Sequence, residues 1–394
     1  MFQRLPSAGW HPWRLALFLA SYFAAAGAQV PYFPLYLEQR GIGVTEIGIL
    51  MAVAQGSRIV GPTLWGWIAD HTSQRLRVMR YTAIATCALF ALILLPGGFW
   101  WILPVFLLAS ICGTGQIPIS EAIAGARIRR DPHGPARYGR LRVWGSIGFV
   151  VAVLAIGPLL DLFGVGVQPW IVVAMLAVTA ATTFLVDDAP RTAEAAHERV
   201  SVRARLAEPR VRWFFVSVLL MIFAHGVMYS YLSLHLKELG YSKTEIGVFW
   251  VLGILLEIMF FTTQGRFFKR FGVYPLLRAT FAIAAVRFAL IAEFADIVVL
   301  LVLAQLMHAA TFAVHHSASI LTVQKWFAGA AAARGQALYI SLGYGVGGTA
   351  GSLAAAWLWS AFNPSAAFLA SSVAALLGWA AVRHSHRLDL KQEV

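Results

Sequence analysis

Nine side chains able to carry charge fall inside long apolar stretches of this 394-residue chain: Arg58, Glu121, Arg142, Glu257, Arg287 and the histidines at 225, 308, 315 and 316. An ionisable group in hydrocarbon costs a few kcal/mol or more unless it is paired or hydrated, so each is a candidate for function. With the histidines neutral, three guanidinium groups meet two carboxylates, and an anionic solute would neutralise the surplus. Glu257, the only interior acid of the second half, is the first candidate for reversible protonation, because burial and a neighbouring Arg move a carboxyl pKa in opposite directions. A static ion pair of Glu257 with Arg287 or Arg58 is the alternative. Gln305, His308, Phe312, His315, His316 and Ser319 share about a third of a helix circumference at 100° per residue, a polar stripe suited to lining a cavity. Arg142, Ser146 and Phe149 share another face, where a planar guanidinium fork suits a carboxylate and a ring suits an apolar body. Arg142 paired with Glu121 only to hold two helices together is the alternative there.

The elements that position these groups are apolar throughout. Hydrophobic residues make up 59% of the chain and charged residues 12%, against roughly 25% charged in soluble domains. The mean hydropathy is +0.71. Twelve stretches are long enough to cross roughly 30 Å of hydrocarbon: 13–37, 45–68, 78–96, 99–126, 140–163, 168–186, 212–237, 245–267, 273–292, 297–322, 335–361 and 365–383. Most of the 31 Lys and Arg fall in the loops that lie inside if the N-terminus is cytoplasmic, whereas the outside loops hold only Arg40, Lys237 and Lys243. Both termini are therefore expected to be cytoplasmic. The net charge of +13 forms no face for nucleic acid, and Cys87 and Cys112 offer no disulfide framework or metal site. No triad, metal cluster or phosphate loop supports an enzyme or a cofactor.

A shift of 199 residues superposes the two halves. Gly27 meets Gly226, Tyr32 meets Tyr231, Gly41 meets Gly240, and Thr45 to Gly48 repeats identically as Thr244 to Gly247. The fold expected is all-α: twelve transmembrane helices in two pseudo-symmetric six-helix bundles, residues 1–186 and 212–394, joined by a cytoplasmic linker over 187–211. Parallel repeats of this kind are a transporter architecture with the solute site at their interface. Glu257 stands opposite Arg58 under the shift.

The run from Gly66 through Asp70 to Arg75 resembles the loop signature of the major facilitator superfamily, with His71, Ser73 and Gln74 departing from its usual pattern. Asp70 and Arg75 are the expected gating pair. Pro118 to Ala122, Tyr138 to Ser146, Glu257, Arg287 and His308 resemble lactose-permease-type proton symporters. The Tyr138 to Ser146 run and Ala224-His225 look most like the 3-phenylpropionate permeases of that group. Gln305 and Thr311 stand where the sugar transporters carry a lysine and an acid. The resemblance implies a monomeric, multi-pass inner-membrane symporter that takes protons and a small aromatic carboxylate, without cofactor or metal. An oligosaccharide or nucleoside symporter is the alternative, and a non-transporting membrane sensor or assembly factor a further one. Solute contacts are expected from Arg142, Phe149, Glu121, Ser146, Tyr32, His225, Tyr229 and Gln305, and proton coupling from Glu257, His308, Arg287 and Arg58.

Overall fold

The computed structural model describes residues 11–128, 134–188, 202–327 and 331–391, without the side chains of 127, 128, 134–140, 202 and 333. Every element among the described residues is helical. The first half holds α1 (Pro12–Gln29), α2 (Phe33–Gln39), α3 (Val44–Thr72), α4 (Arg75–Ala91), α5 (Phe99–Gly113), α6 (Gln116–Ile128), α7 (Gly134–Phe163) and α8 (Gln168–Thr183). After a short α9 (Val202–Ala207) come α10 (Pro209–Glu238), α11 (Lys243–Phe271), α12 (Val273–Phe294), α13 (Val298–Leu306), α14 (His315–Trp326), α15 (Ala332–Leu338), α16 (Gly348–Ala361) and α17 (Pro364–Leu390). Residues 189–201 of the expected linker lie outside the described residues.

Eleven described stretches are long and apolar enough to span a membrane. The twelfth expected span, 335–361, is the continuous rod from α15 to α16, whose middle, Tyr339–Gly347, winds as a π-helix. Span ten is interrupted in the same way, with π geometry over Ala310–Val314 between α13 and α14. Two other expected spans are broken where the residues dictate. Pro31 and Pro34 lack the backbone N–H that a continuous helix needs and separate α1 from α2, while α5 stops at Gly113 before α6 resumes at Gln116.

The two halves meet closely at the end bearing the loops after α2 and α10, and the contacts there obey the 199-residue symmetry. The Tyr32 hydroxyl donates to the Val153 carbonyl at 2.9 Å and lies 3.5 Å from that of Lys243. Its counterpart Tyr231 donates to the Val44 carbonyl at 2.7 Å. A Cβ added at Gly247 would sit 2.3 Å from the Tyr32 hydroxyl, and one at Gly48 2.3 Å from that of Tyr231, so glycine at both positions permits the approach. Lys237 pairs with Glu38 at 2.7 Å, again symmetry mates. Asp161 accepts hydrogen bonds from the backbone N–H groups of Lys243 and Thr244 at 2.9 Å and from the Thr244 hydroxyl at 2.6 Å. The symmetry mates of those residues, Ser360 and Thr45, make a neutral hydroxyl pair at 2.9 Å.

The carboxylate of Asp161 thus caps the start of α11 from the opposite half, where the helix dipole favours negative charge. Asp161→Asn retains the shape and removes the charge. Each charge-assisted hydrogen bond contributes about 1.5–3 kcal/mol, so the variant should favour opening at this end by about tenfold or more. Thiol labelling of a single cysteine introduced behind Tyr32 should speed up accordingly; an unchanged labelling rate contradicts the assignment.

At the other end the second half is tied within itself. Asp389, 2% exposed, receives Arg210 at 2.7 Å, Lys325 at 3.0 Å and the Tyr274 hydroxyl at 3.1 Å. One carboxylate therefore joins α10, α12, α14 and α17. Breaking a buried pair of this kind costs about 3–5 kcal/mol, so Asp389→Asn should lower the thermal midpoint of the purified protein by several degrees. An unaltered midpoint counts against the knot.

Candidate functional site

Pairing inside the second half departs from both ion pairs open to Glu257 in the sequence. The carboxyl oxygen Oε1 of Glu257 on α11 lies 2.9 Å from Nε2 of His308, with side chains 10% and 8% exposed. Oε1 has no aligned hydrogen-bond donor, so the contact is one of distance rather than a formed bond. His308 follows α13 directly, and its ring also rests against Gly253, where an added Cβ would approach it to 2.8 Å.

Arg287 is fully buried and held by neutral groups. Its Nε donates to the Ala304 carbonyl at 2.9 Å and its Nη1 to the Thr311 hydroxyl at 3.1 Å; Nη2 lies 2.8 Å from the Met228 sulfur and 3.4 Å from Oε1 of Gln305. The charge is buried without a carboxylate at ion-pair distance among the described residues, and Phe288 lies beneath it with 5.1 Å to the ring centroid. His225 is buried beside this group, with Nε2 3.4 Å from the Thr311 hydroxyl and Nδ1 2.9 Å from the Met221 carbonyl. His225, Gln305 and Arg287 therefore belong to the interior of the second half and do not line an open face.

The first half presents an open arrangement. Arg142 donates from Nη1 to Glu121 at 3.1 Å, with side chains 48% and 42% exposed. The aromatic ring beside the guanidinium is Phe23 of α1, 5.4 Å away, where the helical spacing along span five points to Phe149. Ser146 and Phe149 are partly buried on the same helix. Arg58 is exposed, and its guanidinium lies 5.7 Å from the ring of Tyr344 in the second half. Tyr229, partly buried, stacks on Trp250 at 5.9 Å.

Tyr32, expected among the solute contacts, is wholly buried in the contact between halves described above and does not reach the open group. Asp70 binds Arg75 at 2.9 Å within one half, the acid exposed and the arginine partly buried, so the expected gating pair is a surface ion pair in this conformation. The stripe along span ten is divided. His316 and Phe312 are partly exposed, whereas His315 is buried edge-on against Phe281 at 5.3 Å, and Ser319 and Gln305 are buried. The wider π turn at Ala310–Val314 shifts the register that a uniform 100° step assumes. Tyr344 and Phe23 escaped sequence reasoning. The 199-residue shift and the helical period place neither of them near an arginine, and only their location within apolar spans was legible.

The family model described as "MFS_1 like family" matches residues 12–370. A probable 3-phenylpropionic acid transporter from Escherichia coli is 26% identical over 313 residues, covering 78% of this chain and 80% of the relative. A maltose permease from Geobacillus stearothermophilus is 29% identical over 273 residues, covering 69% and 68%. In three dimensions, the crystal structure of the nucleoside transporter NupG superposes with a TM-score of 0.82 at 16% identity over 95% of this chain and 98% of that one, a likeness of fold.

Proposed function

The chain belongs to the MFS_1 like family and is a multi-pass inner-membrane transporter of small solutes, not an enzyme, and from that premise we propose proton-coupled uptake of an aromatic carboxylate. The observation that carries this reading is the imbalance of charge inside the spans. Arg142 shares its charge with Glu121, Arg58 faces a tyrosine ring, Arg287 is held by neutral groups, and Glu257 stands against a histidine. A monoanion between Arg58 and Arg142 compensates the surplus, and the guanidinium of Arg142, with five N–H donors, holds a solute carboxylate while still engaging Glu121.

Glu257 serves as the proton carrier in this reading, with His308 as its immediate partner and Arg287 as the fixed positive charge behind them. The two six-helix bundles of residues 1–186 and 212–394 move about the site, and the monomer is the working unit. With the N-terminus cytoplasmic, closure at the Tyr32 and Tyr231 end corresponds to an inward-facing state, and breaking the Asp161 cap belongs to the return step.

Likeness to the 3-phenylpropionic acid transporter supports the solute class. The maltose permease favours a neutral oligosaccharide as a second reading. Competition binding separates the two: 3-phenylpropionate should bind far more tightly than its neutral amide or maltose. Tighter binding of maltose than of any carboxylate replaces the first reading with the second.

A further inference from the structure

Three rings on the span-ten helix form a ladder. His308 and Phe312 lie 5.5 Å apart with planes 16° from parallel, and Phe312 and His316 lie 6.3 Å apart at 12°. Around an α-helix, residues four apart drift by about 40° at 3.6 residues per turn. The π turn at Ala310–Val314 lies under both steps, and its i→i+5 pattern takes up more residues per turn, bringing the rungs towards eclipse.

The lower rungs are within reach of a solute. Phe312 and His316 are partly exposed while the neighbouring His315 points into the bundle. Two hydroxyls of the second π stretch fix the edge of the last rung, with Tyr339 3.1 Å and Tyr344 3.5 Å from Nδ1 of His316. Tyr344 lies in turn under the guanidinium of Arg58, 5.7 Å from the ring centroid. Rings on one half therefore meet the exposed guanidinium of Arg58 on the other. That is the layout needed to hold a carboxylate at one end of a small molecule and a ring at the other.

We propose that Phe312 and His316 form the subsite for the solute's aromatic ring, and that the transporter selects a flat π face there rather than apolar bulk. The proposal rests on the aromatic-carboxylate reading above and assigns the place of the ring. The ladder occupies the faces of Phe312, so its edge meets the face of the solute ring, and an edge-to-face contact adds a margin beyond burial of area, worth up to about tenfold in affinity. Saturating the ring removes that margin while leaving the carboxylate and most of the apolar volume unaltered.

The test is binding of 3-phenylpropionate and 3-cyclohexylpropionate to purified protein. Wild type should favour the phenyl acid by up to about tenfold. Phe312→Leu should bring the ratio close to one, chiefly by weakening the phenyl acid, and Phe312→Tyr should restore it. A wild-type ratio of one or below overturns the proposal without any variant, and so does a wild-type ratio retained in Phe312→Leu. Binding of both acids with equal strength leaves the carboxylate reading standing and removes only the ring subsite. Failure of both acids to bind removes the two together.

Discussion

Glu257→Gln is expected to leave a transporter that binds and exchanges its solute but no longer accumulates it. The glutamine amide is neutral at every pH and has nearly the shape of the protonated acid, so the half-cycle in which loaded protein reorients remains available. Release of a proton does not. The position makes a large effect inevitable if the carboxyl carries the proton. Glu257 is 8% exposed, its carboxyl lies 2.9 Å from Nε2 of His308, and the Arg287 charge is fixed nearby by four neutral partners. A charge change at such a buried group is strongly coupled to the surroundings, whereas a surface carboxylate would be screened. Counterflow of labelled solute should persist at a rate close to wild type, while uptake driven by a pH gradient should level off at the external concentration. Normal accumulation by Glu257→Gln transfers the proton to Glu121 or His308.

The second large effect is expected at Arg142. Lysine keeps the charge but replaces a planar fork of five donors with a compact ammonium on a flexible stem. One arm of Arg142 already engages Glu121 at 3.1 Å, so a lysine must choose between that partner and the solute. Loss of one or more hydrogen bonds to a charged group, about 1.5–3 kcal/mol each, corresponds to at least a tenfold fall in carboxylate affinity. Glu121→Gln lowers competition for the guanidinium and should have a smaller effect on binding. Titration calorimetry with 3-phenylpropionate measures both. If Arg142→Lys binds the acid as wild type does, Arg142 serves only to join α6 to α7.

How far the fold was legible follows from what each feature depends on. Membrane spans depend on local apolar length, and their order, the repeat at 199 residues and the likeness to major facilitator proteins could all be read along the chain. The same shift relates Tyr32 to Tyr231 and Asp161 to Ser360, although only the three-dimensional contact reveals that these residues join the halves. Tyr32 was expected at the solute for want of that information. The π stretches over 310–314 and 339–347 carry no distinct hydrophobic pattern, yet they decide which residues of span ten face outwards. Pairing inside the spans was legible only as a set of alternatives. Glu257 had Arg58 and Arg287 as sequence candidates, and the packing of α11 on the span-ten helix brought His308 to it instead.

Accumulation of 3-phenylpropionate by proteoliposomes under an imposed pH gradient, in sodium-free buffer, examines coupling and solute together. One proton moving with one monoanion carries no net charge, so the pH difference alone should drive uptake. Since one pH unit is 1.36 kcal/mol, the limiting accumulation is about tenfold per unit, acid outside, with alkalinisation of the outer medium on addition of solute and no response to an imposed membrane potential. Uptake that ignores the pH gradient and requires sodium, with no pH change on adding solute, would contradict proton-coupled carboxylate transport outright.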